Sequence, residues 1–110
     1  MSTTTATPTV DWTGASGQKY RYSIYSIGTS FKALPGNYIF SKVTEANKWR
    51  AIYIGETSDL STRFDSHHKM PCIQRNGATH IMVHVNDSGE RARRAEEADL
   101  LGNRTPACNG

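Results

Sequence analysis

From residue 20 to 27 the chain alternates aromatic or branched residues with polar ones, Tyr-Arg-Tyr-Ser-Ile-Tyr-Ser-Ile, and then breaks at Gly28. A period of two with one wet face predicts a half-buried strand. Beyond the Pro35-Gly36 break, residues 37–43 and 49–54 are two further β-rich runs around a polar loop, which predicts an antiparallel hairpin. With Val43 facing Lys48 across that loop, Tyr38 lies directly opposite Tyr53 on one sheet face.

After Gly55 the period changes. Thr57 or Ser58 can cap a helix whose apolar residues Leu60 and Phe64 stand on one side, running to about His67. A short helical stretch after Pro71 ends at Asn76-Gly77, where a left-handed cap is easily adopted. Residues 79–85 alternate again as a strand. The turn-rich run Asn86-Asp87-Ser88-Gly89 opens a last helix over 90–101, stopped by Gly102 and Asn103, with Pro106 preventing its resumption. The order predicts an α+β fold, a small antiparallel sheet flanked by helices.

A chain of 110 residues has room for one domain. Residues 1–18 are mostly Ser, Thr, Gly, Ala and Pro, with Val10 and Trp12 the large apolar groups, so a flexible tail is expected there and the folded domain over 19–110. No apolar run approaches the roughly 18 residues that span a bilayer, and the N-terminus lacks the regions of a signal peptide; a cytoplasmic protein with no membrane attachment is expected. Cys72 and Cys108 have no second pair at zinc-ligand spacing, so they are expected as buried small apolar groups with no disulfide required.

Thirteen Lys and Arg against ten Asp and Glu give a net charge of +3, by itself weak support for a polyanionic partner. Arg91, Arg93 and Arg94 adjoin Glu96, Glu97 and Asp99, a pattern that suits a solvated helix with internal ion pairs as well as a phosphate-contacting face.

Several residues suggest chemistry when taken together. A Tyr38–Tyr53 pair would place two phenols on one small surface, although a cross-strand aromatic pair also simply stabilises a hairpin. On the expected helix Arg63 and His67 lie four residues apart on one side, beside Leu60 and Phe64. Helical Arg and His are more often surface groups. His80 and His84 belong to the more polar face of their strand. In the last helix, at about 100° per residue, Glu97 falls about 40° from Leu101 and Glu96 about 140° away, so Glu97 borders the buried stripe and Glu96 points to water. A carboxylate at such a rim is a plausible ligand for a hard divalent ion.

Gly36-Asn37-Tyr38 and Tyr53-Ile54-Gly55 resemble the two halves of the GIY-YIG nuclease signature. The resemblance continues with Arg63, His67, Glu97 opening Glu-x-x-Leu-Leu, Pro106 and Asn109, and its spacing from Glu97 to Asn109 is similar to the bacterial DNA-repair branch. It implies a three-stranded antiparallel sheet surrounded by helices, with the strand around 22–27 an addition.

The resemblance further implies an endonuclease that hydrolyses phosphodiester bonds, most readily in DNA, with one divalent metal, Mg²⁺ or Mn²⁺, held by Glu97 as Lewis acid. Tyr38, alone or with His67, would accept a proton from the attacking water. A free tyrosine titrates near about 10, so such a base needs the metal or a cation beside it. Arg63 would hold charge on the phosphate oxygens, Tyr53 would orient water or phosphate, and Asn109 would tie the C-terminal segment to the site. Lys69, Arg75, Arg91, Arg93 and Arg94 would join Arg63 in binding nucleic acid.

Two positions depart from the signature. Asn37 stands in place of Ile, and Glu56 stands where some members carry Lys, either repelling phosphate or supplying a second metal ligand. The alternative to an enzyme is a non-catalytic nucleic-acid-binding module with the same fold.

Overall fold

The computed structural model describes residues 7–46, 48–62, 64 and 67–109. In chain order the elements are β1 (Thr9–Thr13), β2 (Lys19–Ser26), β3 (Gly36–Glu45), β4 (Lys48–Thr57), α1 (Met70–Arg75), β5 (His80–Val85) and α2 (Glu90–Leu101). The strands form one antiparallel sheet in the order β1-β2-β5-β3-β4, which places β3 between β4 and β5. The expected α+β architecture is present, with five strands and, among the described residues, two helices.

The sheet is covered on both faces. On one, Tyr38, Phe40, Ile81 and Val83 pack with Leu60, Ile73 and Cys108. On the other, Tyr22, Ile39, Ile54 and Met82 pack with Trp12 and Leu100 of α2. Consecutive residues of β3 therefore feed opposite cores, and this explains why residues 36–41 are all buried. A strand covered on both sides need not show the alternation of a half-wet one.

The loose tail expected over residues 1–18 is corrected in its second half, where residues 9–13 pair with β2 as an edge strand. Trp12 drives this pairing. It is 9 % exposed, and its indole N–H donates to the Met82 sulfur at 3.1 Å. Two apolar residues at alternate positions are a small signal within a polar composition, yet burying one indole is a large gain. The following turn then clasps α2: the Ser16 backbone N–H and hydroxyl and the Tyr20 hydroxyl all donate to the Asp99 carboxylate.

The hairpin forms where expected, but its register differs. Tyr38 pairs with Gly55 and Phe40 with Tyr53, and irregularities fall between Phe40 and Ser41 and between Val43 and Glu45. The shift of two residues arises at the turn, where Glu45 and not Val43 faces Lys48, and the two irregularities cancel one another; each side chain keeps its face, and Tyr38 and Tyr53 become diagonal neighbours.

The helix expected from about residue 58 to His67 is absent among the described residues of that stretch, which forms turns. Asp59 bends the chain by accepting hydrogen bonds from the Ser61 backbone N–H and hydroxyl at 2.8 and 2.6 Å. Leu60 still reaches the core. α1 matches the stretch expected after Pro71, and Gly77 follows it at φ +76°.

Cys72 of α1 and Cys108 near the C-terminus form a disulfide, not the two separate buried thiols expected. They lie 36 residues apart, and the fold brings their Cα atoms to 5.9 Å.

Candidate functional site

The diagonal register creates a cluster of rings on the α1 side of the sheet. Tyr38 and Tyr53 stack with centroids 6.1 Å apart, and His67 meets Tyr53 edge-to-face at 4.9 Å. His68 stacks on His67 at 4.9 Å. Tyr38 has no exposure and His67 only 4 %, so the imidazole is a core group despite its place in a turn. Gly55 makes this arrangement possible. A Cβ on Gly55 would lie 2.6 Å from the Tyr38 oxygen and 2.9 Å from Tyr53 Cε2.

Hydrogen bonding fixes the state of His67. The Lys69 backbone N–H donates to Nδ1 at 3.0 Å, so that nitrogen carries no proton. A neutral ring must then hold its proton on Nε2, which lies 2.7 Å from the Tyr38 oxygen. His67 therefore donates and Tyr38 accepts.

Asn109 makes a paired contact with Ile54, the middle residue of Tyr53-Ile54-Gly55: its Oδ1 accepts from the Ile54 N–H and its Nδ2 donates to the Ile54 carbonyl, each at 2.8 Å. The side chain acts as an added strand partner on the free edge of β4. Arg63 lies outside the described residues.

Of the two acids of α2, Glu97 takes the rim position expected of it, but Glu96 does not point to water. Glu96 is 4 % exposed, whereas Glu97 is half-buried. The wheel reading used Leu101 as its anchor, but the buried stripe consists of Arg93, Glu96 and Leu100. Measured from Leu100 at about 100° per residue, Glu96 falls about 40° away and Glu97 about 60°. Both lie toward the sheet, and Glu96 lies deeper.

Glu96 anchors a polar cluster between α2 and the second sheet face. Its carboxylate accepts from Tyr22 at 2.5 Å, from His84 Nδ1 at 3.0 Å and from Asn86 Nδ2 at 3.4 Å. Tyr22 is held well above its ordinary range, first by burial and then by the Glu96 charge and hydrogen bond. The His84 imidazole is also raised, chiefly by its hydrogen bond to Glu96 against opposing desolvation. The sequence showed Tyr22 and His84 as alternating strand residues, but pairing them with Glu96 required knowing the strand order β2-β5.

Of the arginines expected to contact phosphate, Arg93 is buried and committed. It donates to Glu56 at 2.9 Å and to the Asn86 carbonyl at 3.4 Å. Arg94 pairs with Glu90 at 2.8 Å and approaches Glu56 at 3.9 Å. Glu56 thus belongs to an ion-pair network between β4 and α2. Arg75 and Arg91 are exposed, and Lys69 is half-buried just before α1.

Among the described residues, no group of three or more His, Cys, Asp and Glu side chains is placed to hold a metal, and no helix is long and apolar enough to cross a membrane. No known protein family, no curated protein and no solved structure matches the chain.

Proposed function

We propose that the protein is a metal-dependent endonuclease of GIY-YIG type that hydrolyses phosphodiester bonds in nucleic acid, DNA being the favoured substrate. The observation that carries this reading is the convergence of Tyr38, Tyr53 and His67 on one sheet face, with the imidazole donating to the Tyr38 oxygen. The pairing also satisfies two buried polar groups, and the fixed tautomer that aims the imidazole N–H at the phenol oxygen supports a catalytic role for them.

Tyr38 accepts the proton of the attacking water. The N–H of His67 favours negative charge on that oxygen and holds the ring in place. Tyr53 orients the water or the phosphate, and Arg63 opposes the charge on the non-bridging oxygens. Glu97, half-buried on α2, is the carboxylate assigned to one Mg²⁺ or Mn²⁺. A single carboxylate suits these ions, which complete their coordination with substrate phosphate and water. When bound, the ion supplies Lewis-acid stabilisation of the leaving oxygen. Asn109 fixes the main chain at Ile54, between Tyr53 and Gly55.

A cytoplasmic location belongs to the same reading.

The test is cleavage of labelled single-stranded, duplex, flap and branched DNA, and of RNA, with and without Mg²⁺ or Mn²⁺. Metal-dependent cutting of any of these supports the enzyme. Binding without cutting under every condition favours the non-catalytic module.

A further inference from the structure

On the same sheet face as the tyrosines lies a cavity of about 250 Å³, bounded by the loop after β2, the turn after β4 and α1. Three aromatic rings shape it. Phe40 of β3 forms part of the floor, and the Phe31 and Phe64 rings meet edge-to-face at 5.5 Å. Thr29, Ser61 and Gln74 bring polar groups to the lining. Among the described residues none of the lining carries a charge, so the cavity suits a neutral molecule better than a phosphate or a metal ion.

Size narrows the choice. An apolar cavity of about 150 Å³ takes a benzene ring. Sites for drug-sized ligands begin near about 300 Å³. The volume between them suits one planar heterocycle whose faces lie against phenylalanines and whose edge meets hydroxyl and amide groups. Phe64 joins this cavity to the candidate site, because its ring also meets Tyr38 at 4.9 Å.

We propose that this cavity receives one unstacked nucleobase from the strand whose phosphate is addressed at Tyr38 and His67. The inference rests on the nucleic-acid reading above and adds a substrate class to it. Extruding a paired base costs stacking and pairing energy, and the cost is least where the base is mismatched or already single-stranded. The protein therefore selects phosphates next to an unpaired base.

The experiment titrates adenosine and cytidine into the isotope-labelled full chain and follows the NMR signals of the Gln74 side-chain amide and the Phe31 ring. Ribose and indole serve as controls, and cleavage of oligonucleotides is measured separately. Saturable shifts with either nucleoside and none with ribose support the proposal. Ser61→Trp, which fills the cavity from an exposed position, abolishes those shifts. Gln74→Ala, exposed on α1 and so safe for folding, weakens the nucleoside shifts but leaves any response to indole unchanged. No saturable shift with either nucleoside, or an equal response to indole and the nucleosides, overturns the proposal. Cleavage without nucleoside binding leaves the nuclease standing and removes only the base pocket; binding without cleavage does the reverse.

Discussion

Tyr38 lies over Gly55, the residue paired with it across the hairpin, so closely that a methyl group on Gly55 would sit 2.6 Å from the phenol oxygen. Gly55 is buried, and its value is the space its missing side chain leaves. Gly55→Ala is therefore expected to displace the Tyr38 ring while the sheet persists. Cleavage should fall by roughly 10²-fold, the scale associated with misplacing a reacting group by about 1 Å. Single-turnover rates with circular dichroism as a fold control check this, and an unchanged rate would show that the Tyr38 position does not matter.

Glu96 and Glu97 should separate by function. Glu96→Gln replaces a buried carboxylate that accepts from Tyr22, His84 and Asn86. Stability is expected to fall by about 1.5 to 3 kcal/mol, the worth of a hydrogen bond to a charged group. Urea denaturation measures it. A Glu96→Gln protein as stable as the parent would mean that the cluster is not a structural anchor.

The His84–Glu96 contact sets a pH dependence. The folded state raises the imidazole above its usual 6.5, chiefly through the hydrogen bond to Glu96. Its stabilisation is therefore fully present below 6.5 and is lost as pH rises through the folded-state value. The unfolding midpoint should decline across that window in the parent protein and decline less in Glu96→Gln. A parallel decline in both would assign the effect to other groups. Besides Glu96, the side chains at this end of α2 and β5 include Tyr22, Asn86, Asp87 and Asp99.

Reducing the Cys72–Cys108 bond should lower stability measurably. The bridge joins residues 36 apart, and chain-entropy reasoning assigns a loop of that size about 3 to 4 kcal/mol. Thermal unfolding with and without a thiol reductant tests it, with Cys72→Ser as the second arm. An unfolding temperature unaffected by either would show that the bridge does not constrain the unfolded chain.

How far the sequence could be read depended on whether its signals were local. α2 was found to the residue, because Asn86-Asp87-Ser88-Gly89 opens it and Gly102 closes it. β2, the hairpin, α1 and β5 followed from alternation and turn residues in the same way. Signals that depend on distant partners misled. β1 is held by Trp12 meeting Met82, seventy residues away, a contact that the composition of the segment hides. A hairpin turn two residues tighter than expected, with Glu45 facing Lys48, moved the partner of Tyr38 from Tyr53 to Gly55, although a shift of two kept both phenols on one face. The Leu60–Phe64 spacing suggested a helix that the Asp59 turn replaced. For the acids of α2, taking Leu101 instead of the fully buried Leu100 as the anchor turned the wheel by one residue. Cysteine pairing follows from the fold, not from spacing.

The most direct test of the central claim is single-turnover cleavage of a labelled oligonucleotide panel in Mg²⁺ or Mn²⁺ by the parent protein, Tyr38→Phe and Glu97→Gln, each confirmed as folded. The account predicts metal-dependent cutting by the parent, a loss of about 10² to 10⁴-fold in Tyr38→Phe for removal of a general base, and no detectable cutting by Glu97→Gln with binding retained. Parent-like rates in Tyr38→Phe or Glu97→Gln, or no cutting by the parent with either metal, would contradict it.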